Sequence, residues 1–233
     1  MPSEVNPPAR GSRAERTELA IVAAAHELFA QRGYRGTALT DVAKAAGVSD
    51  RTIYVRFATK AHLLKRVVDV ALVGDALPIA LADRDWIDTV MNAPTLEERL
   101  AADAEGTALM MDRIAPVLAV AMQAEADEPL IAAAAQAARE STLEQVRAFW
   151  EKLHRDGLMG PEADLEWVIA TSALLANAET YVHMTRTLRW APAEYQAWRH
   201  RTWRHLAMAP STEAPQSSTA YASTSTSTSG SNR

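Results

Sequence analysis

The stretch from Val42 to Lys60, VAKAAGVSDRTIYVRFATK, limits the possible folds more than any other part of the chain. A helix of small residues stops at Gly47, where a left-handed backbone conformation is free of the clash that a β-carbon would cause. Ser49 then stands where an N-cap belongs, ahead of a short helix from Asp50 to Phe57. Val42, Ala43, Val48 and Ile53 supply small apolar contacts that hold the pair at a fixed angle. Two short helices joined by a glycine-containing turn of three or four residues form a helix-turn-helix.

The flanking sequence continues the helical pattern. Ile21, Val22, Ala25, Leu28 and Phe29 form one stripe, which predicts a helix from about Ala14 to Gln31, stopped by Gly33. Thr37 is expected to cap a helix from Ala38 to Ala46, and Thr59 one from Lys60 to about Val73. Further on, Thr95-Leu-Glu-Glu98 is a capping box that opens a helix through about Asp112. Pro116 either kinks a helix or starts one, and Pro129 suits a first turn. A helix ending at Gly157 carries Leu143, Val146, Trp150 and Leu153 on one face. Gly160-Pro161 is expected to start a single long helix from Glu162 to Leu188. Its apolar residues occupy two faces, Trp167, Thr171, Leu174, Ala178 and Tyr181 on one and Val168, Ser172 and Leu175 on the other, so it needs two packing partners. Pro192 begins the last helix.

Abundant alanine, sparse glycine and short β-branched runs agree with an all-α chain. The expected organisation is a Pro-rich disordered arm over 1–12, a helix-turn-helix domain over 13–60 and a helical domain over 61–209. A disordered Ser/Thr-rich tail follows over 210–233. The N-terminus lacks the apolar core of a signal peptide, and no apolar stretch reaches membrane-spanning length without charges. The expected location is therefore the cytoplasm, with no membrane partner. There is no cysteine, which excludes disulfides and thiolate metal sites. The six histidines have no metal-like spacing, and no metal site or cofactor is expected. No nucleophile elbow, P-loop or dinucleotide loop occurs, so the chain reads as a non-enzyme.

The net charge of −5 conceals an asymmetry: residues 1–74 hold 11 Lys/Arg against 7 Asp/Glu, and residues 75–233 hold 13 against 22. Only the basic front is suited to a polyanion. A recognition helix needs side chains that reach base edges early and phosphate donors around them. Arg51 can fork onto guanine, and Thr52 can offer its methyl or hydroxyl to a base or phosphate. Tyr54, Arg56 and Lys60 can donate to backbone oxygens. Thr37, with its helix N-terminus, and Ser49 complete the set, while Asp50 suits a cap or cytosine N4. Arg10, Arg13 and Arg16 are equally readable as a minor-groove arm or a solvated terminus.

The run from Phe29 to Leu64, FAQRGYRGTALTDVAKAAGVSDRTIYVRFATKAHLL, resembles the N-terminal domain of TetR-type transcriptional regulators. The resemblance implies operator binding by the helix-turn-helix, with Tyr54 and Lys60 at the phosphate-contacting positions of the family's Y-x-x-F-x-x-K pattern. Two positions depart from that pattern: Asp50 stands where a neutral or basic residue is common, and Arg56 where histidine is frequent. The resemblance further implies a homodimer on double-stranded operator DNA, joined through helices near 162–188 and 192–207. The rear-domain resemblance supplies no ligand; a small apolar or aromatic effector there is expected to bias the separation of the two reading heads.

Met110, Met122, Trp150, Trp167, Asn177 and Tyr181 are the candidate effector contacts, with Met111, Phe149 and Glu179 beside them. Methionine and tryptophan adapt to irregular apolar space, although for any one of them ordinary core is the favoured reading. Arg199, Arg201 and Arg204 make the last helix basic, which suits a solvated face or pairing with the acidic rear domain. Two competing classes remain: a regulator with no small-molecule inducer, and a helical small-molecule-binding protein with a structural helix-turn-helix.

Overall fold

The computed structural model describes residues 12–73 and 85–210. Among these residues all regular structure is helical. The first part contains α1 (Arg13–Arg32), α2 (Leu39–Ala45), α3 (Asp50–Phe57) and α4 (Lys60–Val73). The second contains α5 (Asp85–Asn92), α6 (Leu96–Ala124), α7 (Pro129–Arg155), α8 (Leu165–Ala176), α9 (Ala178–Arg186) and α10 (Pro192–Met208). Most of the arm and tail expected from the sequence lies outside the described residues.

Local chemistry explains the boundaries. Ser12 and Glu15 form a reciprocal capping box on α1, and Gly33 stops the helix at φ +71. The Ser49 hydroxyl accepts from the Thr52 amide, which caps α3. Thr95 and Glu98 cap α6 in the same way. Ile21, Val22, Ala25 and Phe29 of α1 bury together with Val42 and Ala43 of α2 and Ile53 and Phe57 of α3. The angle between α2 and α3 is thus fixed by burial on both helices, while Gly47 turns the chain at φ +68.

Three expectations need correction. Thr37 does not cap α2. The N-cap is Ala38, and the buried Thr37 hydroxyl donates to the carbonyls of Leu28 and Gly33, which locks the turn after α1. α6 does not stop near Asp112 but runs on through Pro116 to Ala124. Proline removes only one hydrogen bond of the ladder, and Ile114, Val117 and Val120 bury around it on the inner face. The single helix expected over 162–188 is two helices. Asn177 adopts φ −60, ψ 144 between α8 and α9, a conformation that asparagine enters more readily than a helix former does. The break turns the two apolar faces apart. Val168 and Ser172 are buried, whereas Trp167 and Leu174 point outward, and Tyr181 turns inward on α9.

Two apolar cores result. The first runs from the α1–α4 region into the C-terminal half of α6 and the starts of α7 and α10, where Tyr181 meets Tyr195 edge to face. The second joins Val90 of α5 and Leu100 of α6 to Phe149, Trp150 and Leu153 of α7, Val168 and Ile169 of α8, and Trp203 and Leu206 of α10. α6 passes through both. Its Arg113 reaches back to α4, donating through Nε to the Ala71 carbonyl at 2.7 Å and through Nη2 to Leu72 at 3.0 Å. A cation there satisfies carbonyls that a helix end leaves unpaired, and it opposes the negative end of the helix dipole.

Gly106 of α6 is the point of closest approach to α5. A β-carbon there would stand 2.3 Å from the Trp86 ring. Gly106→Ala is expected to push Trp86 and α5 off α6, at a cost of about 1–3 kcal/mol by overpacking. Urea unfolding followed by tryptophan emission measures both effects. Arg113→Met is expected to free the last turn of α4, at about 1 kcal/mol. Hydrogen exchange should quicken in α4 while the α3 amides keep their protection.

Candidate nucleic-acid interface and ligand cavity

α3 buries Ile53 and Phe57 and turns its other side to solvent. Arg51, Tyr54 and Val55 lie together on that outer side, with Tyr54 51% and Val55 77% exposed. The spacings of three and four residues make them neighbours on the helix surface. Val55 was missed in the sequence because a valine in an apolar pattern reads as core. Its exposure beside Arg51 offers an apolar contact of the kind a thymine methyl takes. Asp50 sits in the first turn, where a carboxylate suits the positive end of the helix dipole. Ser49 and Thr52 share a hydrogen bond of 2.8 Å between their hydroxyls, so both serve the cap.

The other sequence candidates are placed differently. Thr37 is buried and offers no side-chain contact at this face. Arg56 approaches Glu18 of α1 at 3.5 Å, and Arg66 of α4 meets the same carboxylate at 2.9 Å. Glu18 thereby ties α1, α3 and α4 together. Lys60 donates to the Tyr34 carbonyl at 2.7 Å, and its ammonium lies 4.2 Å from the centre of the Tyr34 ring. An ammonium has three donors, so Lys60 retains two for another acceptor.

Tyr34 carries the connection further. Its hydroxyl donates to Glu128 at 2.7 Å, and neighbouring Arg35 donates to Asp127 at 2.6 Å. Burial, with the Glu128 carboxylate beside it, raises the Tyr34 pKa well above the usual phenol range, so the hydroxyl stays a donor. The turn after α1 is therefore bound to the turn between α6 and α7.

A cavity of about 410 Å³ opens where the two cores meet. Trp86, Val90 and Met91 of α5 form one wall. Met110 and Met111 of α6, Val146 and Phe149 of α7, and Trp203 of α10 form the others. Its polar lining includes Asp103 and Arg199, which form a two-pronged ion pair with distances of 2.7 and 3.1 Å. Burial works against the Arg199 charge, but Asp103 outweighs it, Tyr195 adds to it, and the arginine pKa is raised. The guanidinium also lies 4.3 Å from the Trp203 ring.

Of the six effector candidates read from the sequence, the structure brings only Met110 to this cavity. Trp150 is core, its indole N–H donating to Ser172 at 2.6 Å. Tyr181 is buried against Tyr195, and burial, followed by Asp112, pushes its pKa up to about 12. Met122 is half-buried away from the cavity, Trp167 faces outward, and Asn177 sits at the helix break. Asp103 escaped the sequence reading because a charged residue on a helix reads as solvated, whereas Arg199 takes the second of its two readings, pairing with an acidic residue of the rear domain. Gly106, the one glycine inside a long helix pattern, was the available signal for a close approach there.

Residues 21–67 match the family model described as bacterial regulatory proteins, tetR family. No curated protein matches the chain. Solved structures do. A Mesorhizobium loti chain assigned to the TetR-family transcriptional regulators is 20% identical with a TM-score of 0.63, over 84% of this chain and 97% of that one. MexZ, a repressor in Pseudomonas aeruginosa, is 20% identical with a TM-score of 0.58, over 84% and 97%. NalD, the secondary repressor of an efflux pump in the same organism, is 18% identical with a TM-score of 0.59, over 84% and 98%. The matched segment covers α2, α3 and most of α1 and α4, and the helices around it follow the same fold: residues 21–67 are a helix-turn-helix segment that matches the tetR family of bacterial regulatory proteins, in a chain with the fold of TetR-family structures.

Proposed function

We propose that the chain is a homodimeric repressor that binds a pseudo-palindromic operator and releases it when a small effector occupies the rear domain. The observation that carries this reading is the outer face of α3. Arg51, Tyr54 and Val55 stand exposed on a helix whose other face is fixed by Ile53 and Phe57. Arg51 reads a base edge, Val55 an apolar one, and Tyr54 and Lys60 grip phosphates, with Arg56 in support. Asp50, Ser49 and Thr52 set the pitch of the helix, and the buried Thr37 sets the turn. The protein acts in the cytoplasm, where operator DNA lies, and needs no catalytic group or cofactor.

Dimerisation is supported by the apolar residues left outside. Trp167 and Leu174 of α8 are 48% and 71% exposed, and a second copy on α8 and α10 would cover them. Two reading heads then meet successive major grooves about one helical turn apart. MexZ and NalD, which share the fold, are repressors. Release by an effector is a population shift that requires tighter binding to the DNA-incompetent state.

Selection of bound duplexes from a random pool tests the reading directly. Recovery of a palindrome by the wild type and of none by Tyr54→Ala/Lys60→Ala is the expected result. A folded dimer that enriches nothing overturns it. Arg51→Ala should lose discrimination at one base pair per half-site, about 1–3 kcal/mol. Lys60→Ala should weaken every sequence alike and flatten the salt dependence by about one unit. Competition titrations with single-base variants, repeated across salt, separate these two roles.

A further inference from the structure

The cavity at the seam of the two cores has a polar lining that selects by charge. Asp103 is 9% and Arg199 5% exposed, so both are shielded from water. Nε and Nη2 of Arg199 each engage one oxygen of Asp103. The pair sums to zero, and the other polar lining residues, Thr107, Thr142 and Gln145, are neutral. A ligand carboxylate would find no spare cation, and a ligand ammonium no spare carboxylate. An ion entering there would lose its hydration with no opposite charge to replace it. Beside the ion pair, Arg199 Nη1 makes no hydrogen bond, and the nearby Tyr195 hydroxyl is likewise unpaired among the described residues. The rest of the lining is apolar, with Trp86, Phe149, Trp203 and three methionines beside aliphatic side chains, and suits flat apolar surfaces.

We propose that this cavity takes an uncharged aromatic molecule bearing one hydrogen-bond acceptor, a carbonyl or ether oxygen, that is received by Arg199. Its volume of about 410 Å³ accommodates two or three fused rings. The consequence for operator release rests on the repressor reading above; the binding itself does not. Trp86 and Trp203 line the cavity, so occupancy alters tryptophan emission.

The test uses the full chain without DNA and a matched set of probes: 9-fluorenone, fluorene, fluorene-9-carboxylate and 9-aminofluorene as its cation. Calorimetry gives affinity and stoichiometry, and tryptophan emission gives location. Fluorenone is expected to bind once per chain, roughly tenfold tighter than fluorene, because a hydrogen bond to a charged donor is gained. The two ions should bind roughly a hundredfold more weakly than fluorenone. Asp103→Leu/Arg199→Met replaces the pair with apolar side chains of similar size. It should keep fluorene binding while the preference for fluorenone falls to about one. The proposal is overturned by an ion binding as tightly as fluorenone, by a fluorenone preference that survives in the double variant, or by no binding of any probe to folded protein. No step involves DNA, so failure to find an operator leaves the titration standing. An operator bound but unaffected by fluorenone refutes only the consequence.

Discussion

Arg199 carries a charge into the interior of the bundle, and the Asp103 carboxylate makes that position tolerable. Removing either partner of such a pair costs about 3–5 kcal/mol, a large part of the roughly 5–15 kcal/mol that holds a domain folded. α6 and α10 can therefore pack in the one register where the two groups meet at 2.7 and 3.1 Å. Trp203, one turn beyond Arg199, covers the guanidinium and closes the second core. Tyr195, one turn before it, belongs to the first core. The ion pair thus sits where the two apolar masses join, and the cavity beside it exists because neither mass fills that join.

α6 carries the consequences toward α3. Met110 and Met111 line the cavity. Two residues further along, Arg113 holds the last carbonyls of α4. At the other end of α4, Lys60 holds Tyr34, and Tyr34 holds Glu128 at the start of α7. These contacts are hydrogen bonds and ion pairs with defined partners, and the apolar packing of α4 between α1 and α6 fills the space between them. Arg113, on the exposed side of α6, is the direct polar link from α6 to the end of α4.

How much of this was legible in the sequence depended on range. The caps at Ser49 and Thr95, the stop at Gly33 and the turn at Gly47 are decided within four residues, and each was readable. α3 and α4 lie where the pattern put them. Thr37 failed as a cap because its hydroxyl was claimed by Leu28 and Gly33, carbonyls brought near by the fold of the preceding turn. Asn177 broke a helix whose two apolar faces were visible, but their separation onto α8 and α9 depends on partners distant in sequence. The cavity was the least legible feature. Its ion pair joins residues 96 positions apart, and nothing local distinguishes Arg199 from the exposed Arg201 and Arg204. Methionine and tryptophan were sound guesses as residue types, but choosing among them required knowing which side of α6 faces the seam.

Under the proposed function, the clamping of α4 at both ends determines how an effector must act. The helix has 14 residues, about 21 Å at 1.5 Å per residue. Held by Arg113 at one end and by the Tyr34 contact at the other, it has no free terminus to fray, so it responds by tilting as a unit. A tilt of about 5° around the Arg113 end moves Lys60 by about 2 Å over that length. Hydrogen bonds to phosphate are made within a few tenths of an ångström of about 2.8–3.0 Å, so such a shift breaks them. In a dimer the two displacements combine, while the groove spacing of about 34 Å stays fixed by the DNA. A small movement at the seam of the cores is therefore sufficient for release, and neither core needs to open.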